Sequence, residues 1–170
     1  MSRRFAASRM TLAAALAFAL TSVEASAQEA DRGFSLDLFG SYITAESDGD
    51  TADEETWGLR GSYRFTNVWA LEAAVSNLRE EGTDAYFGDL SAKAYLLHTD
   101  RFEGYLLGGV GLLRIDELDE DETTLHLGLG AEIKLGRRAY LRPEVRARWL
   151  EEDVDAVTFM DYSVGIGWRF

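Results

Sequence analysis

No cysteine occurs among the 170 residues, and there are only two histidines and a single proline, Pro143. Without cysteine there is no disulfide or zinc framework to lean on, so one core or one barrel must hold the chain together. Beyond residue 20 no segment approaches the roughly 20 apolar residues of a membrane helix. A chain that spans lipid without such helices must do so as a closed barrel, because open sheet edges are not tolerated in hydrocarbon. Positive charge is scarce as well: 17 Lys and Arg stand against 30 Asp and Glu, which argues against nucleic acid as a partner.

The one long apolar run lies at the front. Arg3, Arg4 and Arg9 form a basic start, Met10 to Leu20 an apolar stretch, and Ala25-Ser26-Ala27 a small-residue cleavage site. These are the parts of a secretory signal, too short and wrongly flanked for a spanning helix. Ser2-Arg3-Arg4-Phe5 is similar to a twin-arginine signal, but Ala6-Ala7 departs from that pattern and a barrel must be exported unfolded, so ordinary export is expected. The expected organisation is a signal over residues 1–27 and a mature domain over residues 28–170. Taking Arg3, Arg4, Arg9 and Glu24 away leaves 14 basic and 29 acidic residues, a net charge of about −15.

Period-two alternation fills the mature chain, as half-exposed strands require. It predicts strands over 34–43, 57–65, 68–77, 85–97, 105–115, 124–135, 140–150 and a last one through Tyr162 to Phe170. Acidic connections (44–55, 79–83, 116–122, 151–155) alternate with short turns at Thr66-Asn67, Thr99 to Arg101 and Gly136 to Arg138. Pro143 cannot donate to a ladder, which predicts a bulge or a missing bond. In the fifth strand Tyr105, Leu107, Leu113 and Ile115 are expected outward, with Arg114 on the opposite face.

Charge placement decides which face is which. Arg60, Arg64, Lys93, Arg114, Lys134, Arg142, Arg146, Arg148 and Arg169 all fall on the expected face opposite the apolar one, together with Asp37, Glu72, Asp89, Glu132, Glu144 and Asp161. A water-soluble barrel has a greasy interior and a charged exterior. Here the charges would fill the inside, and each Arg or Lys put on the lipid side instead would cost about 2–4 kcal/mol at mid-membrane. Trp57 and Trp149 beside the acidic connections, and Trp69 and Trp168 beside the turns, read as two interfacial belts.

Tyr162, Val164, Ile166, Trp168 and Phe170 put apolar residues at every second position up to a terminal aromatic. That pattern resembles the closing strand and assembly signal of bacterial outer-membrane barrels. The segment Gly104-Tyr105-Leu106-Leu107-Gly108-Gly109-Val110-Gly111 is similar to the fifth strand of the small OmpA/OmpX-type barrels, and the resemblance covers residues 33–170. It implies an all-β fold, an eight-stranded antiparallel transmembrane up-and-down β-barrel in the cell outer membrane. It also implies loops facing outward and turns and chain ends facing the periplasm; the peptidoglycan-binding domain found in some relatives is expected to be absent, because the chain stops at the barrel. The implied partners are outer-membrane lipid, lipopolysaccharide and the barrel assembly machinery, with no cofactor.

Function is less specific, since such barrels include anchors, adhesins, small channels and lipid-modifying enzymes. A structural or interaction role is expected, with a narrow solute or ion channel as the alternative and a lipid A-modifying enzyme behind it. The candidate residues are a lumenal charge network of Arg60, Arg64, Glu72, Asp89, Lys93, Arg114, Glu132, Lys134, Arg142, Glu144, Arg146 and Arg148, expected to pair and fill the interior. Lipid A deacylases, also eight-stranded barrels, use a His, a Ser and a Glu. Here the residue two after His126 is Gly128 and strand parity turns His126 inward, so no catalytic residue is carried over. Nor does the short segment before the first strand leave room for the amphipathic helix of a palmitoyltransferase barrel. Asp48-Gly49-Asp50 begins like a calcium loop, but Ala52, Asp53 and Leu59 stand where that loop needs other residues. The acidic connections, with Asp84 at the edge of the second, hold 19 of the 29 mature carboxylates. Asp48, Asp50, Asp116, Asp119 and Asp121 are the candidate ligands for weakly held divalent cations there, the other outcome being a solvated rim.

Overall fold

A computed structural model describes residues 32–47, 50–80, 83–115, 120–150 and 158–170. Side chains are described within these ranges except at 45–47, 50–53, 78–80, 83–85, 115, 120–121, 150 and 158. The expected signal over residues 1–27 lies outside the described residues. Eight strands follow one another: β1 Gly33–Ser47, β2 Asp50–Arg64, β3 Trp69–Glu80, β4 Thr83–His98, β5 Phe102–Ile115, β6 Glu120–Lys134, β7 Ala139–Leu150 and β8 Thr158–Arg169. Each pairs antiparallel with its neighbours in sequence, and β1 pairs with β8 to close the barrel. Closure leaves no strand edge unpaired, the condition that hydrocarbon imposes.

The barrel is inside out relative to a water-soluble one. Leu38, Leu71, Val75, Leu90, Leu127, Leu129, Val164 and Ile166 are exposed on its outer face, while Asp37, Arg60, Glu72, Lys93 and Arg142 are buried. The apolar core within the barrel is correspondingly small, a cluster of Ala70, Tyr95, Tyr105 and Leu107.

Four features differ from the sequence expectation. First, the acidic connections are shorter. Residues 44–47 pair with 50–53 as a continuation of β1 and β2, and β3, β4 and β6 likewise run into segments expected as loops. Beyond the lipid band both faces of a strand are wet, so side-chain periodicity fades while backbone pairing continues along one neighbour: 50–55 pair with β1 and 120–123 with β5. Trp57 is consequently not at a strand end, since β2 runs seven residues further toward the loop end.

Second, the turn at Thr66-Asn67 is wider than a two-residue hairpin. It spans 65–68 and is fastened by Thr66 Oγ1, which accepts from the backbone N–H of Val68 (3.2 Å) and Trp69 (2.8 Å). Third, β4 carries a bulge between Tyr95 and Leu97, so that Leu96 and Leu97 are both exposed while Tyr95 stays inside. At Pro143 there is no such shift: the β6–β7 register is the same on either side, with pairing interrupted between Gly130↔Glu144 and Ile133↔Leu141.

Fourth, β5 faces the other way. Tyr105 and Leu107 are buried within the barrel, whereas Leu106, Val110 and Leu112 are exposed. Arg114 is therefore on the outward parity, opposite the exposed Tyr86 of β4. Leucine and glycine occupy both parities of this strand, so its own pattern is ambiguous. Register decides, setting Leu107 against Lys93, Gly109 against Ser91 and Gly111 against Asp89.

Phe170 lies just beyond β8; its N–H donates to Phe34 O (2.9 Å), and the two rings sit 5.9 Å apart. The terminal aromatic thus fastens the β1–β8 seam. Deleting Phe170 should reduce the fraction of protein that shows heat-modifiable gel mobility far more than trimming a loop does. Equal insertion of the two variants is the result that contradicts this role.

Candidate functional site

The interior is the most organised part of the molecule. Buried charge cannot be left unpaired, because removing a buried ion's partner costs about 3–5 kcal/mol. Among the described residues, seven cations (Arg60, Arg64, Lys93, Arg142, Arg146, Arg148, Arg169) meet seven carboxylates (Asp37, Glu72, Asp89, Glu103, Glu132, Glu144, Asp161).

Arg142 of β7 is the hub and is 0% exposed. Its Nη1 donates to Asp37 of β1 (3.0 Å) and its Nη2 to Glu72 of β3 (3.0 Å) and Glu144 (2.6 Å). Its Nε donates to Tyr105 Oη of β5 (2.6 Å), and that hydroxyl donates in turn to Glu144 (2.5 Å). A guanidinium is the group suited to this place, since its planar fork serves several carboxylates at once and stays charged. Arg146, one turn of the pleat away, ties Glu144 and Glu72 to Asp89 of β4. Arg60 of β2 donates to Glu144 and to Ser163 of β8, with its guanidinium 3.8 Å from the centre of the Phe39 ring.

Two further groups flank this centre. Toward the loop end, Arg148 binds Asp89 through two bonds (2.7 and 2.8 Å) and reaches Asp161. Toward the turn end, Lys93 and Tyr95 Oη both donate to Glu132, and Arg169 bridges Glu132 and Glu103, the latter also held by both Nη atoms of Arg64. Lumen-facing glycines give these side chains their room. A methyl group on Gly130 would collide with the Tyr105 hydroxyl, and one on Gly167 with Asp37 and the Tyr140 ring.

Of the expected network, Arg60, Arg64, Glu72, Asp89, Lys93, Glu132, Arg142, Glu144, Arg146 and Arg148 are together inside. Arg114 is not, because β5 is inverted and places it on the outer face near the loop end. Lys134 has the inward parity but sits half-exposed at the turn-end mouth and makes no ion pair among the described residues. Glu103 was missed, since β5 begins three residues before the expected start. The hydroxyl of Tyr105 carries a signal, since a tyrosine needs a polar partner when buried.

His126 is inside, as its parity implied, and the register surrounds it with groups from β4. Ser91 Oγ lies 2.8 Å from its Nε2, and Asp89 Oδ1 3.8 Å from its Nδ1. The order is that of a hydrolytic row, yet none of the three is more than 8% exposed and Asp89 is engaged by Arg146 and Arg148. The residues proposed for cations, Asp48, Asp50, Asp116, Asp119 and Asp121, have no described side chains. Among the described residues no group of three His, Asp or Glu comes together as a metal site.

Residues 13–170 match the profile of the outer membrane protein beta-barrel domain family. The chain belongs to that family. No curated protein sequence matches it. Among solved structures it is similar to Neisserial surface protein A (17% identity, TM-score 0.69), covering 81% of this chain and 97% of that one. It is similar also to the N-terminal β-barrel domain of Pseudomonas aeruginosa OprF (12%, TM-score 0.64, 82% and 100%). A third is Ail, the attachment invasion locus protein of Yersinia pestis, in complex with the heparin analogue sucrose octasulfate (17%, TM-score 0.58, 82% and 99%). At these identities the likeness is one of fold, and it accounts for the apolar exterior: the chain is an outer-membrane barrel whose leucines and valines face lipid.

Within such a barrel Arg142→Met should cost about 3–5 kcal/mol, because three carboxylates lose a shared cation. Gly130→Ala should cost about 1–3 kcal/mol through overpacking against Tyr105. Urea unfolding from lipid vesicles measures both; a change below about 1 kcal/mol for Arg142→Met contradicts its role as hub.

Proposed function

We propose that this protein is a closed outer-membrane barrel with a structural or interaction role, working through its loop end and not through its interior. The observation that carries this reading is the layer of Asp37, Glu72, Lys93 and Arg142, each at most 1% exposed and therefore closed to a water molecule. A conducting path would have to part ion pairs that join β1, β3, β4 and β7, at several kcal/mol for each uncompensated charge.

Planar-bilayer recording on the folded protein is the decisive measurement, and the expected result is no stable conductance. Reproducible channels would replace this reading with that of a narrow ion or small-solute pore.

The same closure bears on catalysis. Ser91 and His126 are 2% and 1% exposed among the described residues, which supports a packing role for the row they form with Asp89 and a protein without enzymatic activity. Unaltered lipid A on overproduction is the expected result. A change in lipid A that His126→Ala abolishes would overturn this.

Residues 1–27 act as a cleaved export signal, and the closing strand through Phe170 engages the barrel assembly machinery. At the loop end the acidic connections repel polyanions such as the sucrose octasulfate named with Ail, and favour divalent cations bridging to lipopolysaccharide or else a basic partner. Calorimetry tests this: saturable calcium uptake that disappears when the acidic residues of 44–55 and 116–122 are neutralised supports it, and absence of heat leaves a solvated rim.

A further inference from the structure

The turn end of the barrel has the opposite charge character. Lys134, Arg137, Arg138 and Arg169 wall a pocket of about 220 Å³ whose floor includes Tyr140. That volume is smaller than the roughly 300 Å³ at which sites for drug-sized ligands begin, so it suits a small charged group. Lys134, Arg137 and Arg138 make no ion pair among the described residues. Arg169 is the exception, and its partners Glu103 and Glu132 are themselves engaged by Arg64 and Lys93. The pocket is thus positive, with its neighbouring carboxylates already satisfied.

Its backbone is held from three sides. Leu135 N donates to Ala139 O across the turn, Arg169 N donates to Arg138 O from β8, and Lys134 N donates to Arg101 O of the preceding turn, each at 2.9 Å. The cations are therefore carried on a fixed frame, which lowers the ordering cost of binding. The pocket also lies at the lipid boundary: Leu135, Trp168 and Phe170, which adjoin its wall in sequence, are all exposed on the outer surface.

We propose that this mouth is a phosphate-binding site, filled by the headgroup phosphate of an anionic phospholipid or by free phosphate. Guanidinium forks match phosphate oxygens better than they match any neutral headgroup. The site is independent of whether the interior conducts, so a failure of either reading leaves the other standing.

The test uses the protein folded in detergent, probed by native mass spectrometry with short-chain phosphatidylglycerol and with phosphatidylcholine of the same chains, and by calorimetry with inorganic phosphate. Phosphatidylglycerol should be retained over phosphatidylcholine, and the double variant Arg137→Gln, Arg138→Gln should lose about fivefold in affinity, as expected for two exposed charged contacts. Heat from inorganic phosphate that the same variant loses assigns the site to the free ion; lipid retention without that heat assigns it to the headgroup. Both substituted residues are exposed turn residues, and heat-modifiable mobility checks their folding. Should the variant not fold, Arg137→Lys, Arg138→Lys must retain binding and added salt must weaken it. Equal binding by wild type and the glutamine variant, or indifference to salt, overturns the proposal.

Discussion

The interaction on which the structure depends is the guanidinium of Arg142 held among Asp37, Glu72, Glu144 and the Tyr105 hydroxyl. It gathers β1, β3, β5 and β7 at one point, and Arg60, Lys93 and Arg169, with the contact of Arg146 to Asp89, bring in the even-numbered strands. In a water-soluble protein apolar burial does this work. A barrel in lipid has spent its apolar residues on the outside, where packing against hydrocarbon does nothing to draw opposite walls together. Ion pairs across the lumen take that place, and their desolvation cost is tolerable only because seven cations are matched by seven carboxylates.

Filling a narrow barrel with long side chains requires other positions to be empty, and this explains the glycines on the lumenal face. Gly130 opposite Tyr105, and Gly167 beneath Tyr140 and Asp37, are spaces for rings and carboxylates and not points of flexibility. The network and its glycines form one unit, in which a single added methyl disturbs a hydroxyl shared by Arg142 and Glu144.

Along its axis the molecule is polarised. Carboxylates crowd the acidic connections in the sequence, a neutral network fills the middle, and Lys134, Arg137 and Arg138 join the paired Arg169 around the turn-end pocket. Membership of a barrel family does not assign a function, because one fold carries many; the distribution of charge is what distinguishes this chain. It directs attention to the two ends as well as to the ion-paired interior.

The outer face, the strand count and the inward direction of ten network residues were legible in the amino-acid sequence, because each strand in lipid must separate apolar from charged residues at period two. That constraint acts on every residue of the band, so one strand at a time suffices to read it. It fails where it does not act. In β5, leucine and glycine fill both parities, and only pairing with β4 and β6 turned Tyr105 inward and Arg114 outward. Beyond the lipid band, strands continued where the pattern had faded. Which carboxylate meets which cation, the arrival of Ser91 beside His126, and the gathering of Lys134, Arg137, Arg138 and Arg169 around one pocket join residues distant in sequence, in the case of Asp37 and Arg142 by 105 positions. Those were decided by barrel closure, since the shape of a closed sheet, and no local pattern, sets which side chains face each other across it.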